Sequence, residues 1–253
     1  KMSDIYLFDV DGTLTVAKQK IDPKFQKQFL KWMDDKEVYI VSGGTFERIL
    51  NQVGTDVLNK TSGVFACMGN IFLQKRDTVN EPDYSEWVIM YENKFTYPKN
   101  LVRRLESIVA KSDYPVKTGN HYEERVGMIN YSIVGRNANQ EQRKQYEQWD
   151  AEKQERKQIV EKLRKKFDTL DFVIGGAVSM DIFNKGNDKS QIIDKYFSDA
   201  LEHNKIHFVG DRIPAPGNDH TLAERLCSHP NGAAYEVETW EDTAKLLKSE
   251  PFA

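Results

Sequence analysis

Short uninterrupted apolar runs alternate with amphipathic stretches through the first part of the chain. Ile5-Tyr6-Leu7-Phe8 and Val38-Tyr39-Ile40-Val41 have no polar break and read as buried strands of an open parallel sheet. Between them, Asp22-Pro23 offers a helix start, with the acid as cap and the proline at the first helical position. Phe25, Phe29, Leu30 and Met33 then recur at helical spacing and should face that sheet. Val64-Phe65-Ala66-Cys67 is a third strand candidate, followed past Met68-Gly69-Asn70 by Ile71-Phe72-Leu73. Near the other end, Ile206-His207-Phe208-Val209 repeats the strand pattern, residues 233–237 fit an edge strand, and residues 240–248 fit a terminal helix packed through Ala244, Leu246 and Leu247. Strands alternating with helices predict an α/β core with a Rossmann-like parallel sheet.

Near residue 83 the period changes. Trp87-Val88-Ile89-Met90-Tyr91 reads as a strand, residues 101–110 as a helix, and residues 121–125 and 128–134 as strands around Gly127. A long polar helical region over 140–167 follows, with an interruption expected near Asp150. Phe172-Val173-Ile174 and residues 178–183 then flank Gly175-Gly176 as a hairpin. Hairpin-joined strands with flanking helices predict an inserted α+β cap over 84–186, with 1–83 and 187–253 folding together as the core.

The length of 253 residues suits one large domain or a core plus an insert. With 39% hydrophobic and 30% charged residues and a mean hydropathy of -0.65, the composition is that of a well-solvated globular chain. A net charge of -3 and a pI near 6.0 argue against a nucleic-acid partner. The basic residues between Arg143 and Lys166 are balanced by interspersed acids and read as a solvated helix face. No run approaches the ~18 apolar residues of a membrane span, and no signal-peptide pattern is evident. The only cysteines, Cys67 and Cys227, are too few for a disulfide framework and fit a reducing compartment, so a cytoplasmic location is expected.

The chemistry concentrates in Phe8-Asp9-Val10-Asp11-Gly12-Thr13-Leu14-Thr15. Two carboxylates stand where Gly12 breaks the first strand, at the carboxyl end of the sheet where open α/β folds bind ligands. A carboxylate can accept a phosphoryl group and split one displacement into two, and a second acid can then protonate the leaving oxygen. Asp-Gly is also an ordinary turn dipeptide. Ser42-Gly43-Gly44 ends the second strand and lets backbone N–H groups approach an anion beside a helix N-terminus, although alone it is equally a plain turn. Gly210-Asp211 and Gly217-Asn218-Asp219 end the last strong core strand, and such hard oxygen ligands suit Mg²⁺. His220 reads as a capping or supporting residue, and the other histidines lack metal-ligand spacing.

The octet resembles the first motif of the haloacid dehalogenase superfamily, and with Thr15 after Leu14 it is similar to that of the eukaryotic-type phosphomannomutases. The resemblance implies Asp9 as nucleophile and Asp11 as general acid/base. It implies Ser42 as a phosphate ligand in the second motif and Lys189, in Gly186-Asn187-Asp188-Lys189, as the charge-neutralising residue of the third. That lysine should project from the start of a helix carrying Ile192, Ile193 and Tyr196. In the fourth motif, Asp9, the backbone carbonyl of Asp11 and Asp211 would hold Mg²⁺, with Asn218 and Asp219 as nearby ligands or supports. In the insert, Arg125-Val126-Gly127-Met128-Ile129-Asn130, Gly135-Arg136, Gln142-Arg143 and Gly175-Gly176-Ala177-Val178-Ser179-Met180-Asp181 resemble the family's cap segments. They imply Arg125, Arg136, Arg143, Ser179 and Asp181 as sugar-phosphate ligands. Two departures stand out: Lys18 occupies the place of a family substrate arginine, and Met68-Gly69-Asn70 replaces a Glu-Asn-Gly tripeptide.

The expected activity is interconversion of mannose 6-phosphate and mannose 1-phosphate, Mg²⁺-dependent and primed by a hexose 1,6-bisphosphate, with a role in mannose metabolism and GDP-mannose supply. A sugar phosphate phosphatase of the same superfamily is the alternative. A receiver-like phosphoacceptor switch would have no cap and about half this length. A homodimer through the cap is expected by resemblance.

Overall fold

The computed structural model describes residues 3–77 and 85–253. The apolar runs become β1 (Asp4–Phe8), β2 (Glu37–Val41), β3 (Gly63–Ala66), β4 (Ile71–Asp77) and β5 (Ser85–Glu92). Four strands follow, β6 (Tyr122–Arg125), β7 (Met128–Ser132), β8 (Leu170–Gly175) and β9 (Ser179–Asn184), and β10 (Lys205–Gly210) and β11 (Gly232–Glu236) end the series. The helices are α1 (Pro23–Met33), α2 (Phe46–Val53), α3 (Thr55–Lys60), α4 (Asn100–Lys111), α5 (Gln140–Lys153), α6 (Glu155–Lys166), α7 (Ser198–His203), α8 (His220–Cys227) and α9 (Trp240–Leu246).

One sheet has the order β11-β10-β1-β2-β3-β4-β5, parallel from β11 to β3 and antiparallel through β4 and β5. Both faces of β1 are buried, which is why its run has no polar alternation. Tyr6 and Phe8 join Phe25, Phe29, Ile49 and Val57 on one side, while Ile5 and Leu7 join Phe197, Leu201, Leu222 and Leu226 on the other. Phe8 pairs in register with both Val209 and Ile40, so β1, β10 and β2 end level with one another. Asp9, Asp211 and Ser42 therefore emerge from one edge of the sheet.

The second sheet, β6-β7-β9-β8, is antiparallel. Its strands alternate. Ile129, Tyr131, Met180 and Ile182 pack with α4, α5 and α6 around Leu105, Tyr146 and Val160. The opposite face presents Met128, Asn130, Asp181 and Phe183 toward the carboxyl end of the large sheet, where Met128 and Phe183 join the core cluster.

Three details differ from the sequence expectation. β5 is a strand as expected but pairs with β4, extending the large sheet instead of opening the insert, and the boundary expected at 83/84 lies outside the described residues. The break in the long helical region, expected near Asp150, falls at Gln154, whose φ of 56° ends α5. Asp150 instead caps α6, accepting the backbone N–H of Arg156 at 2.9 Å and its Nε–H at 2.7 Å. Lys189 lies on a turn ahead of the helical segment, which runs through a π-helical turn at Ile193–Phe197 into α7. Among the described residues no helix is long and apolar enough to cross a membrane.

Candidate active site

Asp9 leaves β1 with its N–H bonded to the carbonyl of Val209 at 3.0 Å, and its side chain is buried. Asp9, Asp211 and Asp219 each bring one carboxylate oxygen within 4.8 Å of the others. Burial pushes the Asp9 carboxyl well up, Lys189 opposes the shift, and the charges of Asp219 and Asp211 add to it. Asp211 is pushed up to about 7, again by burial first and by Asp219 next. The ammonium of Lys189 is completely buried among them, 3.0 Å from Asp9 Oδ1 and 2.7 Å from Asp219 Oδ1. Burial alone would neutralise this lysine, but the two carboxylates outweigh it and hold it protonated.

This donor set fits a hard divalent cation. Asp9 and Asp211 offer carboxylate oxygens, and their mutual repulsion is what a cation would relieve. Asp219 is differently engaged: one oxygen accepts Lys189 and the other accepts the N–H of Arg212 at 3.0 Å, so it braces the cluster. Gly12, at φ +76°, permits the close approach, because a Cβ there would stand 2.2 Å from Asp211 Oδ2. Gly12→Ala is accordingly expected to displace Asp211 and lower metal-dependent activity about 100-fold, by analogy with other misplaced reacting groups. The measurement is activity against Mg²⁺ concentration beside a far-ultraviolet circular dichroism spectrum. Unchanged metal dependence would remove the cradle from the account.

Asp11 lies in the turn after β1. Its Oδ1 accepts the Lys18 backbone N–H at 2.9 Å and the Gln52 Nε2–H at 2.7 Å. Ser42 is buried, with Oγ accepting the N–H of Gly44 at 3.0 Å. The Cys67 and Met68 N–H groups donate to the Gly44 and Ser42 carbonyls at 2.9 and 2.8 Å. Cys67 and, of the departing tripeptide, Met68 thus brace the glycine loop through their backbone, and Cys67, Met68 and Gly69 all have positive φ. None of Met68, Gly69 and Asn70 lines the cavity described next. Asn70 touches the turn between β6 and β7 at Gly127, where φ is +71° and an added Cβ would lie 2.6 Å from Asn70 Cβ.

Over this edge lies the second sheet, and between them is a pocket of about 30 Å³ lined by Asp9, Asp11, Lys18, Arg48, Arg143 and Asp181, among others. Arg125 Nη1 donates to the Gly43 carbonyl at 2.7 Å, and among the described residues its buried Nη2 has no partner. Arg143, in the first turn of α5, is buried, and its Nε is unpaired among the described residues. Ser179 lines the cavity; Asp181 accepts Asn130 Nδ2 at 3.0 Å and Asn218 Nδ2 at 3.1 Å. Arg136 does not line the cavity. Glu123, at 2.6 Å, and Asn130 Oδ1, at 3.0 Å, hold it behind the wall. His220 turns away, with Nδ1 at the Ile213 carbonyl and Nε2 3.0 Å from Glu224.

Burial and then Arg143, Arg48, Arg136 and Arg125 pull the Lys18 ammonium down to about 7. Burial likewise lowers Arg48 and Arg143 and takes Arg136 to about 10, still charged at neutral pH. So many cations around one small cavity suit a ligand with more than one anionic group. Arg48, Gln52 and Asn130 are additions to the residues expected from sequence. Backbone contacts also join the sheets: Ile174 N–H donates to the Pro216 carbonyl at 2.8 Å, and Asn218 N–H to the Ile174 carbonyl at 2.7 Å.

The sequence profile of the eukaryotic phosphomannomutases matches residues 25–250. A phosphomannomutase of Spinacia oleracea is 35% identical, covering 97% of this chain and 94% of the relative. That of Saccharomyces cerevisiae is 32% identical over 98% of this chain and 94% of the relative. The fold matches an IMP-nucleotidase of Plasmodium falciparum with a TM-score of 0.60 and 16% identity, covering all of this chain and 71% of the other. A Bacteroides thetaiotaomicron protein described among phosphatases of the haloalkanoate (HAD) enzyme superfamily gives 0.55 and 15% identity, over 98% and 94% of the two chains.

Proposed function

The chain belongs to the eukaryotic phosphomannomutase family, with the α/β core of the haloacid dehalogenase type, and from that premise we propose that it interconverts mannose 6-phosphate and mannose 1-phosphate. The observation that carries the reading is the arginine-lined pocket joining Asp9 and Asp11 to the helix-free face of the second sheet.

In this reading Asp9 attacks phosphorus in a hexose 1,6-bisphosphate, the P–O bond to the sugar breaks, and Asp11 gives its proton to the departing sugar oxygen. In the second half the incoming sugar hydroxyl loses its proton to Asp11 and takes the phosphoryl group from Asp9. Asp9, Asp211 and the carbonyl of Asp11 would hold Mg²⁺, which when bound offsets charge on the transferring group. Lys189 steadies Asp9, and Ser42 with the 42–44 backbone faces the reacting phosphoryl. Lys18, Arg125, Arg143, Ser179 and Asp181 hold the sugar and its other phosphate, with Arg136 reaching them through Asn130.

We assign residues 1–83 and 187–253 to the catalytic core, together with strand β5, and the rest of the insert to a cap. A sugar phosphate needs far more than about 30 Å³, since small-molecule pockets run to roughly 300 Å³ or more. The sheets must part to admit substrate and close again for transfer, excluding the water that would hydrolyse the phosphoenzyme. A homodimer through the cap and a cytoplasmic location are carried over with the family.

Incubation with mannose 1-phosphate, Mg²⁺ and a trace of glucose 1,6-bisphosphate tests the reading. Mannose 6-phosphate well in excess of free phosphate is expected; free phosphate without isomerised sugar would leave a phosphatase. Arg143→Ala should raise KM for mannose 1-phosphate about 10- to 100-fold, the worth of one charge-assisted contact. Its melting temperature should hold, because the substitution removes a buried charge and its repulsion with Arg48 and Lys18, which offsets the lost attraction to Asp11 and Glu147. A KM within twofold of wild type would take Arg143 out of the substrate site.

A further inference from the structure

The geometry points to Gln52 as the positioning residue for proton transfer at Asp11. This inference rests on the phosphoryl-transfer reading above, but it concerns a residue that neither motif nor resemblance marks.

Gln52 lies near the end of α2, with Ile49 and Val53 on the helix's buried stripe, and it is only 2% exposed. An amide there carries a desolvation cost unless its groups are bonded. Its Nε2 donates to Asp11 Oδ1 at 2.7 Å, and it stands 3.2 Å from Thr15 Oγ1 and 3.4 Å from the Gln19 carbonyl. The Gln52 backbone carbonyl accepts the Ile21 N–H at 2.8 Å. One residue thus grips the loop after β1 along most of its length, including the acid. Lys18, held at φ 62°, adds its backbone N–H to the same Asp11 oxygen.

The two donors decide which oxygen does the chemistry. The amide and the backbone N–H can only donate, so Asp11 Oδ1 is an acceptor twice over and cannot carry a proton toward either. Among the described residues Oδ2 has no hydrogen-bond partner, and Asp11 lines the cavity. The proton given to the leaving sugar oxygen therefore travels on Oδ2, and Gln52 fixes the carboxyl plane that aims it. As Asp9 takes the phosphoryl group, the P–O electron pair stays with the sugar oxygen and the Oδ2 proton joins it, leaving Asp11 ionised. In the return step the same oxygen recovers a proton from the attacking hydroxyl.

The helix also couples two parts of the site. Its N-terminal end carries the Ser42-Gly43-Gly44 loop and its C-terminal end carries the grip on Asp11, so phosphate seat and acid are set by one rigid element.

The test uses leaving groups. p-Nitrophenolate departs without a proton, whereas a sugar oxygen needs one. Gln52→Met, similar in volume but without the donor, should slow turnover of mannose 1-phosphate about 10- to 100-fold, within the range of general acid catalysis. The KM should change less than twofold. The burst of p-nitrophenolate from p-nitrophenyl phosphate, which reports phosphorylation of Asp9 alone, should stay within threefold of wild type. Asp11→Asn should show the same split, and Asp11→Asn with Gln52→Met should be no slower than Asp11→Asn alone, since the two act as one unit. Should Gln52→Met fold poorly, Gln52→Glu keeps the shape and sets a carboxylate against Asp11, with the same split expected. Equal slowing of both substrates, or additive losses in the double variant, would overturn the assignment. A wild-type protein inert toward mannose 1-phosphate overturns the sugar assignment instead, and the comparison is then run with whichever hexose phosphate it turns over.

Discussion

Asp9→Asn is expected to stop phosphoryl transfer, with kcat lower by at least about 10⁴-fold, the scale seen when a covalent nucleophile is removed. An amide oxygen cannot form the acyl phosphate, and no neighbouring carboxylate can replace it: Asp211 follows a different strand, β10, and Asp219, directly before α8, is held by Lys189 and the Arg212 N–H. The loss should not come from unfolding. Asp9 stands with two other carboxylates within 4.8 Å, in a buried setting that already resists its charge. The neutral amide therefore relieves repulsion, and the melting temperature in metal-free buffer should stay level or rise. Function is here set against stability. Measuring kcat and the thermal midpoint on one preparation checks both halves, and residual turnover above about 1% of wild type would require another nucleophile.

Lys189→Met should do the opposite to stability. This cation is buried between Asp9 and Asp219, and removing it leaves two acids without their counter-charge. Breaking a buried pair in this way typically costs about 3–5 kcal/mol, a large part of the stability of an ordinary domain. Urea melts should show that loss, and Mg²⁺ should restore part of it by supplying positive charge to the same oxygens. Lys189→Arg should not rescue activity, because the site has no exposed volume for a planar guanidinium. A variant as stable as wild type would mean that the acids are compensated elsewhere.

The core was legible because its signals are local. An apolar run, a glycine break and two acids coincide within Ile5 to Gly12, and register then places Asp211 and Ser42 on the same edge. Hydrophobic pattern also identified β5 as a strand, but pattern does not say which sheet a strand joins, and this one pairs with β4. The interruption expected near Asp150 falls at Gln154, and Asp150 caps α6 through its side chain from inside α5. The long-range partners were out of reach. Gln52 occupies an apolar position of α2 and Asn130 stands in a buried strand, and such polar intrusions are visible in the sequence without revealing what they meet. Arg48 is one more basic residue on a helix until the fold sets it beside Lys18 and Arg143. Arg136 came from resemblance, and its ion pair with Glu123 depends on the turn after β7 folding back beside β6, which no local spacing reveals.

The central claim is that Asp9 passes its phosphoryl group between sugar oxygens while the closed cap keeps water out. Its most direct test is to label the protein from radiolabelled hexose 1,6-bisphosphate, remove excess donor, add unlabelled mannose 1-phosphate and follow the label in a single turnover. The account predicts that the label leaves the protein into hexose bisphosphate, with little as inorganic phosphate, and that Asp9→Asn takes up none. Label released chiefly as inorganic phosphate, at a rate indifferent to the sugar, would contradict it.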